Sequence, residues 1–187
     1  MNISRLIAVL VINTLLFSCL SKDEIVSKDD SQLAHLDSLV TLQSIGLLGE
    51  RIHKTANING TTESKAVVAD SIFVQGEFKS LFSKKFERVF TNGAYLKTQS
   101  NGEYIYTRKD GENSGPLTLR LTFDSSDRLI RLIYIETKDN YIYQTENKGV
   151  FELNPNTGLI TNYELSGFQK IIGLDKNEYK VTGVVQS

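Results

Sequence analysis

A chain of 187 residues has room for one domain, and 40% hydrophobic with 23% charged residues is a globular composition, not a disordered or collagen-like one. The formal net charge of -1 lacks the basic excess of nucleic-acid binders, so we expect no nucleic-acid partner. A domain of this size buries on the order of 70% of the surface that its unfolded chain exposes. We therefore expect its stability to require no cofactor, metal or disulfide.

The first eighteen residues have the pattern of a secretory signal peptide. A polar start with one positive charge, Arg5, precedes an almost uninterrupted apolar run over 6–17. Signal peptides have apolar cores of about 7 to 15 residues, whereas a membrane-spanning helix needs nearer 20. The sequence therefore predicts a cleaved leader over 1–18 and disfavours a permanent transmembrane helix.

The apolar run ends in Leu16-Phe17-Ser18-Cys19, which contains the single cysteine of the chain. This tetrapeptide resembles the lipobox of bacterial lipoproteins, although Phe17 stands where a small residue is more common. The resemblance implies that Cys19 receives a diacylglyceryl group, that cleavage follows Ser18, and that the new amine is acylated. Several acyl chains give a lasting anchor, so we expect the membrane to be a partner through lipidated Cys19. The alternative is an ordinary leader in which Cys19 is one more apolar residue.

A polar tether is predicted over 19–31, because 21–31 contain six charged residues and would stay extended in water. Within it, Lys22-Asp23-Glu24 resembles the short basic-then-acidic signal of lipoproteins that one Gram-negative lineage sends to the cell surface. The resemblance implies an outer-membrane location with the domain displayed outward. The alternative is a plain tether, with the domain on the periplasmic face.

A single globular domain is predicted over 32–187, with 32–84 mainly helical. From Ser31, apolar residues recur at helical spacing, and Lys54 suits a last helical turn. A second amphipathic stretch covers about 66–82, although it could begin as a strand. On one continuous helix, His35 and His53 would lie about 27 Å apart and could not share a metal ion.

From residue 93 to 187 the apolar period falls from 3.6 to 2, as in Leu117, Leu119, Leu121 and Phe123. Turn sequences such as Asn101-Gly102 interrupt the pattern at short spacing, and strands joined by brief connections must run antiparallel. The predicted class is therefore α+β, with one or two N-terminal helices packed on a curved antiparallel meander of about seven or eight strands.

This region also resembles a group of small uncharacterised outer-membrane lipoproteins. The likeness rests on a helix rich in aromatic residues, a Gly93-Ala94-Tyr95 strand start, and paired strands that end in 140–146 and 163–170. The aromatic residues of that helix are Phe73, Phe78 and Phe82. The resemblance supports the fold and implies no activity.

No sequence pattern in the chain indicates catalysis. Glycines do not form a phosphate loop, no serine lies in a G-x-S-x-G motif, and no Cys-His set suggests zinc. We therefore expect a protein that is not an enzyme. The alternative is an envelope hydrolase of unfamiliar type, which would need a pocket that places a histidine beside an acid.

Tyrosines provide the candidate binding surface: Tyr104 and Tyr106 share a face, as do Tyr141 and Tyr143, with Tyr134 on a neighbouring strand. Exposed rings could contact a glycan, a hydrophobic ligand or an envelope protein, whereas buried rings would be cross-strand packing. The sequence thus favours a lipid-anchored, non-enzymatic binding or accessory module. A structural or chaperone component of an outer-membrane assembly is a further alternative.

Overall fold

The computed structural model describes residues 24–25, 31–78, 81, 93–113 and 115–186. The predicted signal peptide, Cys19, Phe82 and most of the predicted tether lie outside these residues. The described residues form two helices and ten strands. The helices are α1 (Ser31–Gly46) and α2 (Ser71–Glu77), and the strands are β1 (Glu24–Ile25), β2 (Arg51–Ile58), β3 (Thr61–Val68), β4 (Tyr95–Ser100), β5 (Glu103–Arg108), β6 (Thr118–Phe123), β7 (Leu129–Asp139), β8 (Tyr143–Leu153), β9 (Ile160–Ile171) and β10 (Asn177–Gln186).

These strands form one antiparallel sheet in the order β1-β4-β5-β6-β7-β8-β9-β10-β2-β3. Strands β4 to β10 are a meander in which each strand pairs with the next. The β2–β3 hairpin extends the sheet beyond β10. The predicted antiparallel sheet is therefore confirmed. Since β1 has only two residues, nine strands make up nearly all of it.

The prediction that 32–84 is mainly helical is wrong. α1 ends at Gly46, a hairpin occupies 51–68, and α2 has only seven residues. Asn59 and Gly60 join β2 to β3 with φ angles of 50° and 88°. A two-residue hairpin turn requires such positive angles, and Asn-Gly is the sequence that best supplies them. The helical spacing of apolar residues predicts a first helix that continues to Lys54, but the Asn59-Gly60 turn pairs this segment with the next one as a hairpin.

The folded part of the chain begins within the predicted tether. Glu24 lies opposite Lys97 and Ile25 opposite Leu96, so β1 pairs with the first strand of the meander. Without β1, that side of β4 would present unpaired backbone groups, which sheet edges tend to cover. The predicted boundary at residue 31 is therefore too late.

One hydrophobic core combines the helices and the sheet. Phe78 at the end of α2 is fully buried and packs edge-on against Phe151 and Tyr163, with ring centroids 6.0 Å and 5.1 Å away. Burying a side chain of this size stabilises the fold by about 1.5–3 kcal/mol. The helices also contribute Leu36, Leu39 and Val74 to the core, and Leu47, which follows α1 directly, is buried there as well.

Glu77 connects α2 to the sheet through polar contacts. Its carboxylate forms an ion pair with the Lys54 ammonium of β2 and accepts a 2.8 Å hydrogen bond from the Tyr163 hydroxyl of β9. These partners compensate for taking the carboxylate largely out of water. They also account for a lysine on the side of β2 that faces the helix.

Two glycines leave room for tyrosine rings within the sheet. Gly149 lies opposite Tyr134 and Gly183 lies opposite Tyr163 on neighbouring strands. A Cβ atom added to Gly149 would lie 2.2 Å from the Tyr134 ring, and one added to Gly183 would lie 2.1 Å from the Tyr163 ring. Each ring therefore lies across the backbone of the next strand, where a larger residue would displace it.

Candidate functional site

Two of the five tyrosines predicted to form a binding surface belong to the core. Tyr106 is fully buried and Tyr134 is 3% exposed. The Tyr134 ring stacks on Phe151 with 6.2 Å between centroids. For these two residues the prediction of a surface is wrong, because the helices cover the face of the sheet on which they lie.

Tyr104 and Tyr143 are half-buried and lie on different strands, β5 and β8. The Tyr104 ring packs edge-on against Phe123 at 5.7 Å, and its hydroxyl accepts a 3.0 Å hydrogen bond from Gln99. The Lys97 ammonium lies 4.8 Å from the centre of the same ring. The structure therefore does not bring the five tyrosines together as one platform.

Tyr141 is 93% exposed and lies in the turn between β7 and β8. The side-chain oxygen of Asn140 accepts hydrogen bonds of 2.9 Å from the backbone N–H groups of Ile142 and Tyr143. The Asn140 N–H in turn donates to the Tyr143 carbonyl at 3.0 Å. An asparagine that bonds the backbone ahead of it in this way stabilises a tight turn. The turn therefore presents Tyr141 and Ile142 to solvent in a defined conformation.

The turn between β9 and β10 lies beside the β7–β8 turn. The Ile172 N–H donates a 2.9 Å hydrogen bond to the Ile142 carbonyl, and the Leu174 N–H donates to the Ile171 carbonyl at 3.0 Å. Tyr141, Ile142, Ile172 and Leu174 are between 61% and 93% exposed. We call these four side chains the apical patch. Sequence reasoning singled out Tyr141 alone, although apolar residues inside turn sequences were a signal for the other three.

Charged residues of both signs flank the apical patch in sequence. Lys138, Lys170 and Asp175 are exposed. The Lys176 ammonium lies 4.2 Å from the centre of the Phe168 ring and pairs with Glu178 at 2.6 Å. An apolar centre with a charged, solvated rim is the usual composition of a protein–protein interface. Apolar side chains grouped on the surface of a folded protein also commonly mark binding sites.

The described residues also line two concave surfaces. A groove of about 450 Å³ crosses the middle of the sheet and is lined by charged side chains such as Arg131 and Glu152 together with apolar side chains such as Val150 and Val184. A cavity of about 260 Å³ lies beside the end of α2, where Tyr179 donates a 2.9 Å hydrogen bond to Asn147. Binding pockets for small apolar ligands are mostly lined by apolar side chains. Both surfaces mix apolar with charged side chains, Glu77 and Glu136 in the cavity, so neither has the mostly apolar lining of such a pocket.

The structure describes the surroundings of one histidine side chain, His53. His53 lies on β2, not on a helix, so the predicted 27 Å helical separation from His35 does not apply. It is exposed, and its cross-strand neighbours are Ala66 and Val184, neither of which is an acid. His35 lies on α1. Within the described ranges, no three His, Cys, Asp or Glu residues are grouped to hold a metal ion.

The shifted pKa values belong to structural groups. Burial raises the pKa of Tyr95 to about 12, and its hydroxyl donates a 2.7 Å hydrogen bond to the Pro116 carbonyl. Burial and then the hydrogen bond to Glu77 raise the pKa of Tyr163. At a surface turn, hydrogen bonds from the Arg128 backbone and side chain lower the pKa of Asp124. These shifts follow from packing and turn formation, and they do not indicate a catalytic acid or base.

Among the helices that the structure describes, none is both long and apolar enough to cross a bilayer. No protein-family model matches the chain, and no curated protein matches it significantly in sequence.

Proposed function

We propose that the protein is a lipid-anchored lipoprotein of the outer membrane and acts as a non-enzymatic binding module. In this proposal the apical patch contacts another envelope protein. The observation that carries the binding role is the exposure of four apolar side chains on two turns that are hydrogen-bonded to each other. The anchor rests on the lipobox residues that end at Cys19.

The internal hydrogen bonds of the two turns favour a protein partner. Because Asn140 and the backbone of both turns bond to each other, the patch offers apolar side chains rather than free polar groups. Their burial by a partner would contribute roughly 25 cal/mol for each Å² removed from water. A rigid patch also loses little conformational entropy on binding.

A glycan or a lipid-like ligand fits the described surface less well. Stacking on sugars benefits from several exposed rings, and of the five candidate tyrosines only Tyr141 is fully exposed. A hydrophobic ligand is best held in an enclosed apolar pocket. The larger groove places charged side chains such as Arg131 and Glu152 beside its apolar residues, and burying those charges under an apolar ligand would be costly.

A lipid on Cys19 would keep the domain close to the bilayer. β1 begins at Glu24, so the linker from Cys19 can span at most about 18 Å when fully extended. A short linker of this kind would favour partners that are themselves membrane proteins or lie at the membrane surface. This is the expected setting for an accessory module of an envelope assembly.

The anchor is tested by the intact mass of the protein from the membrane fraction, with a Cys19→Ala variant as the comparison. We expect the native chain to begin at Cys19 and to carry acyl chains, and the variant to lack them. A native product that is unacylated and water-soluble, or that retains residues 1–18, would contradict the proposal.

The binding role is tested by placing a photo-crosslinking amino acid at position 172 in cells. We expect one dominant protein adduct, and we expect Ile142→Ser with Leu174→Ser to reduce it at least about fivefold, since two apolar contacts are lost. Ile72→Ser is the matched control, because Ile72 is 81% exposed but lies on α2. Adducts to lipid alone, or an equal reduction in the control, would refute the assignment of the patch.

A further inference from the structure

The sheet ends in a long edge strand. β3 is last in the strand order, and within the described residues it pairs only with β2. It runs for eight residues without proline, glycine or a bulge, and every position except Val67 is exposed. Proteins usually shorten, interrupt or cover such an edge, because its unpaired backbone groups can pair with another strand.

The turn geometry shows which backbone groups are available. The Ala69 N–H donates to the Glu50 carbonyl at 2.9 Å, and Ile58 lies opposite Thr61 across the two-residue turn. Hydrogen-bonded and non-hydrogen-bonded pairs alternate along an antiparallel ladder. The odd-numbered residues of β3 therefore bond to β2, and the N–H and C=O groups of Thr62, Ser64 and Ala66 point away from the sheet.

The charges on β3 complement a second copy of the same strand. Glu63 and Lys65 lie on either side of Ser64, and neither has an ion pair with any other described residue. When two β3 strands run antiparallel with Ser64 opposite Ser64, each Glu63 faces the Lys65 of the other copy. Opposite charges in this position stabilise a strand pair.

Neighbouring registers are disfavoured by the same two residues. Sliding one strand by two residues in one direction places Glu63 opposite Glu63, and sliding it in the other direction places Lys65 opposite Lys65. Like charges directly opposite each other destabilise a strand pair. A slide of a single residue would turn side chains to the wrong face of the sheet. The Ser64-centred register is thus the one that these charges select.

We propose that the protein forms a two-fold symmetric dimer through β3, with Ser64 at the symmetry axis. About six backbone hydrogen bonds from Thr62, Ser64 and Ala66 would join the two sheets. Exposed ion pairs add little affinity, so the backbone hydrogen bonds hold the two strands together. Glu63 and Lys65 instead select the register and the partner. The dimer does not depend on the apical patch or on the lipid anchor.

Cysteine crosslinking of the full-length protein in detergent, diluted into excess micelles, tests the register. Opposed residues in a hydrogen-bonded antiparallel pair have Cα atoms about 5.5 Å apart, a distance that a disulfide spans. We expect Ser64→Cys to give a disulfide-linked dimer under mild oxidation, and Thr62→Cys or Ala66→Cys to give much less. Wild type is the control, because any dimer linked through Cys19 would appear there too.

Charge reversal tests the partner. In the Ser64→Cys background, we expect Glu63→Lys alone and Lys65→Glu alone each to reduce the dimer at least about fivefold. Combining both changes in one chain, or mixing the two single variants, should restore it. Circular dichroism checks that each variant is folded.

Several results would overturn the dimer. Wild type that sediments as a monomer at every accessible concentration would do so, as would equal crosslinking of Thr62→Cys and Ser64→Cys. Charge variants without effect, or a different protein captured at position 64, would also refute pairing between copies of this chain. All of these results could be obtained with the anchor and the apical patch intact, so they would leave the proposed function unaffected.

Discussion

Gln43 is the buried polar side chain that most directly joins α1 to the sheet, and replacing it tests how the domain is held together. It is fully buried, and within the described residues no other polar or charged side chain is as buried. Its side-chain oxygen accepts a 2.8 Å hydrogen bond from the Ile160 N–H, and its amide donates a 2.8 Å bond to the Gly158 carbonyl. Both partners lie where the chain enters β9.

Gln43→Met removes both hydrogen bonds while nearly preserving the volume of the side chain. The Ile160 N–H is buried and would lose its partner, at a cost of about 1–3 kcal/mol. Gly158 is half-buried, so its carbonyl can accept a hydrogen bond from water instead, and the loss of the bond from Gln43 costs about 0.5–1.5 kcal/mol. We therefore expect the free energy of unfolding to fall by about 2–4 kcal/mol, a large share of the 5–15 kcal/mol typical of a domain.

Urea unfolding followed by circular dichroism measures this loss, with the same slope expected in both proteins because the same surface is exposed. The melting temperature should fall by about 4–16 °C. Gln144→Met is the matched control, since Gln144 is exposed and should change stability by less than about 0.5 kcal/mol. A Gln43→Met variant as stable as the control would refute the reasoning that these two bonds attach α1 to the sheet.

Two further predictions concern tyrosines of the core. Gly183→Ala should lower the free energy of unfolding by about 1–3 kcal/mol, because its Cβ would lie 2.1 Å from the Tyr163 ring. Gly76→Ala is the control, because a Cβ added to this helical glycine would have no heavy atom within 4 Å, and the change should raise the free energy of unfolding by up to about 1 kcal/mol. Equal effects of the two substitutions in urea unfolding would contradict the packing argument. Because folding raises the pKa of Tyr95 to about 12, its contribution to the free energy of unfolding should be complete well below pH 10, and it should fall by about 1.4 kcal/mol at pH 11 and by about 2 kcal/mol at pH 12. The difference in free energy of unfolding between wild type and Tyr95→Phe should therefore shrink from pH 10 to pH 12. A difference that stays constant would count against burial of the phenol.

The meander could be predicted from local sequence because one face of its strands is buried and the other faces solvent. Leu119, Leu121 and Phe123 are all buried, as their alternation indicated. Consecutive strands also pair with each other, so the order of the meander follows from its turns. No long-range information was needed for this part of the fold.

The β2–β3 hairpin was missed for physical reasons. β3 is an edge strand with almost every side chain exposed, so it has no buried face that could produce an alternating pattern. On β2 the alternation is interrupted by Lys54, whose charge is compensated by Glu77 from α2. A contact between residues this far apart in sequence is not visible in a local window, and only the Asn59-Gly60 pair signalled the hairpin.

The candidate site could be predicted only in part because the burial of a tyrosine depends on the strand beside it. Tyr134, Tyr163 and Tyr179 each lie opposite a glycine on the next strand, which leaves space for the ring on the surface of the sheet. Tyr141 lies in a turn and has no cross-strand partner, so its ring points into solvent. A glycine directly opposite a tyrosine on the next strand therefore distinguishes these three packed rings from the exposed ring of Tyr141. The spacing of the tyrosines along the chain does not make this distinction. Apolar side chains are also exposed on α1, on α2 and on the strands, but Tyr141, Ile142, Ile172 and Leu174 lie on two turns that are hydrogen-bonded to each other, and this is why we propose binding at the apical patch.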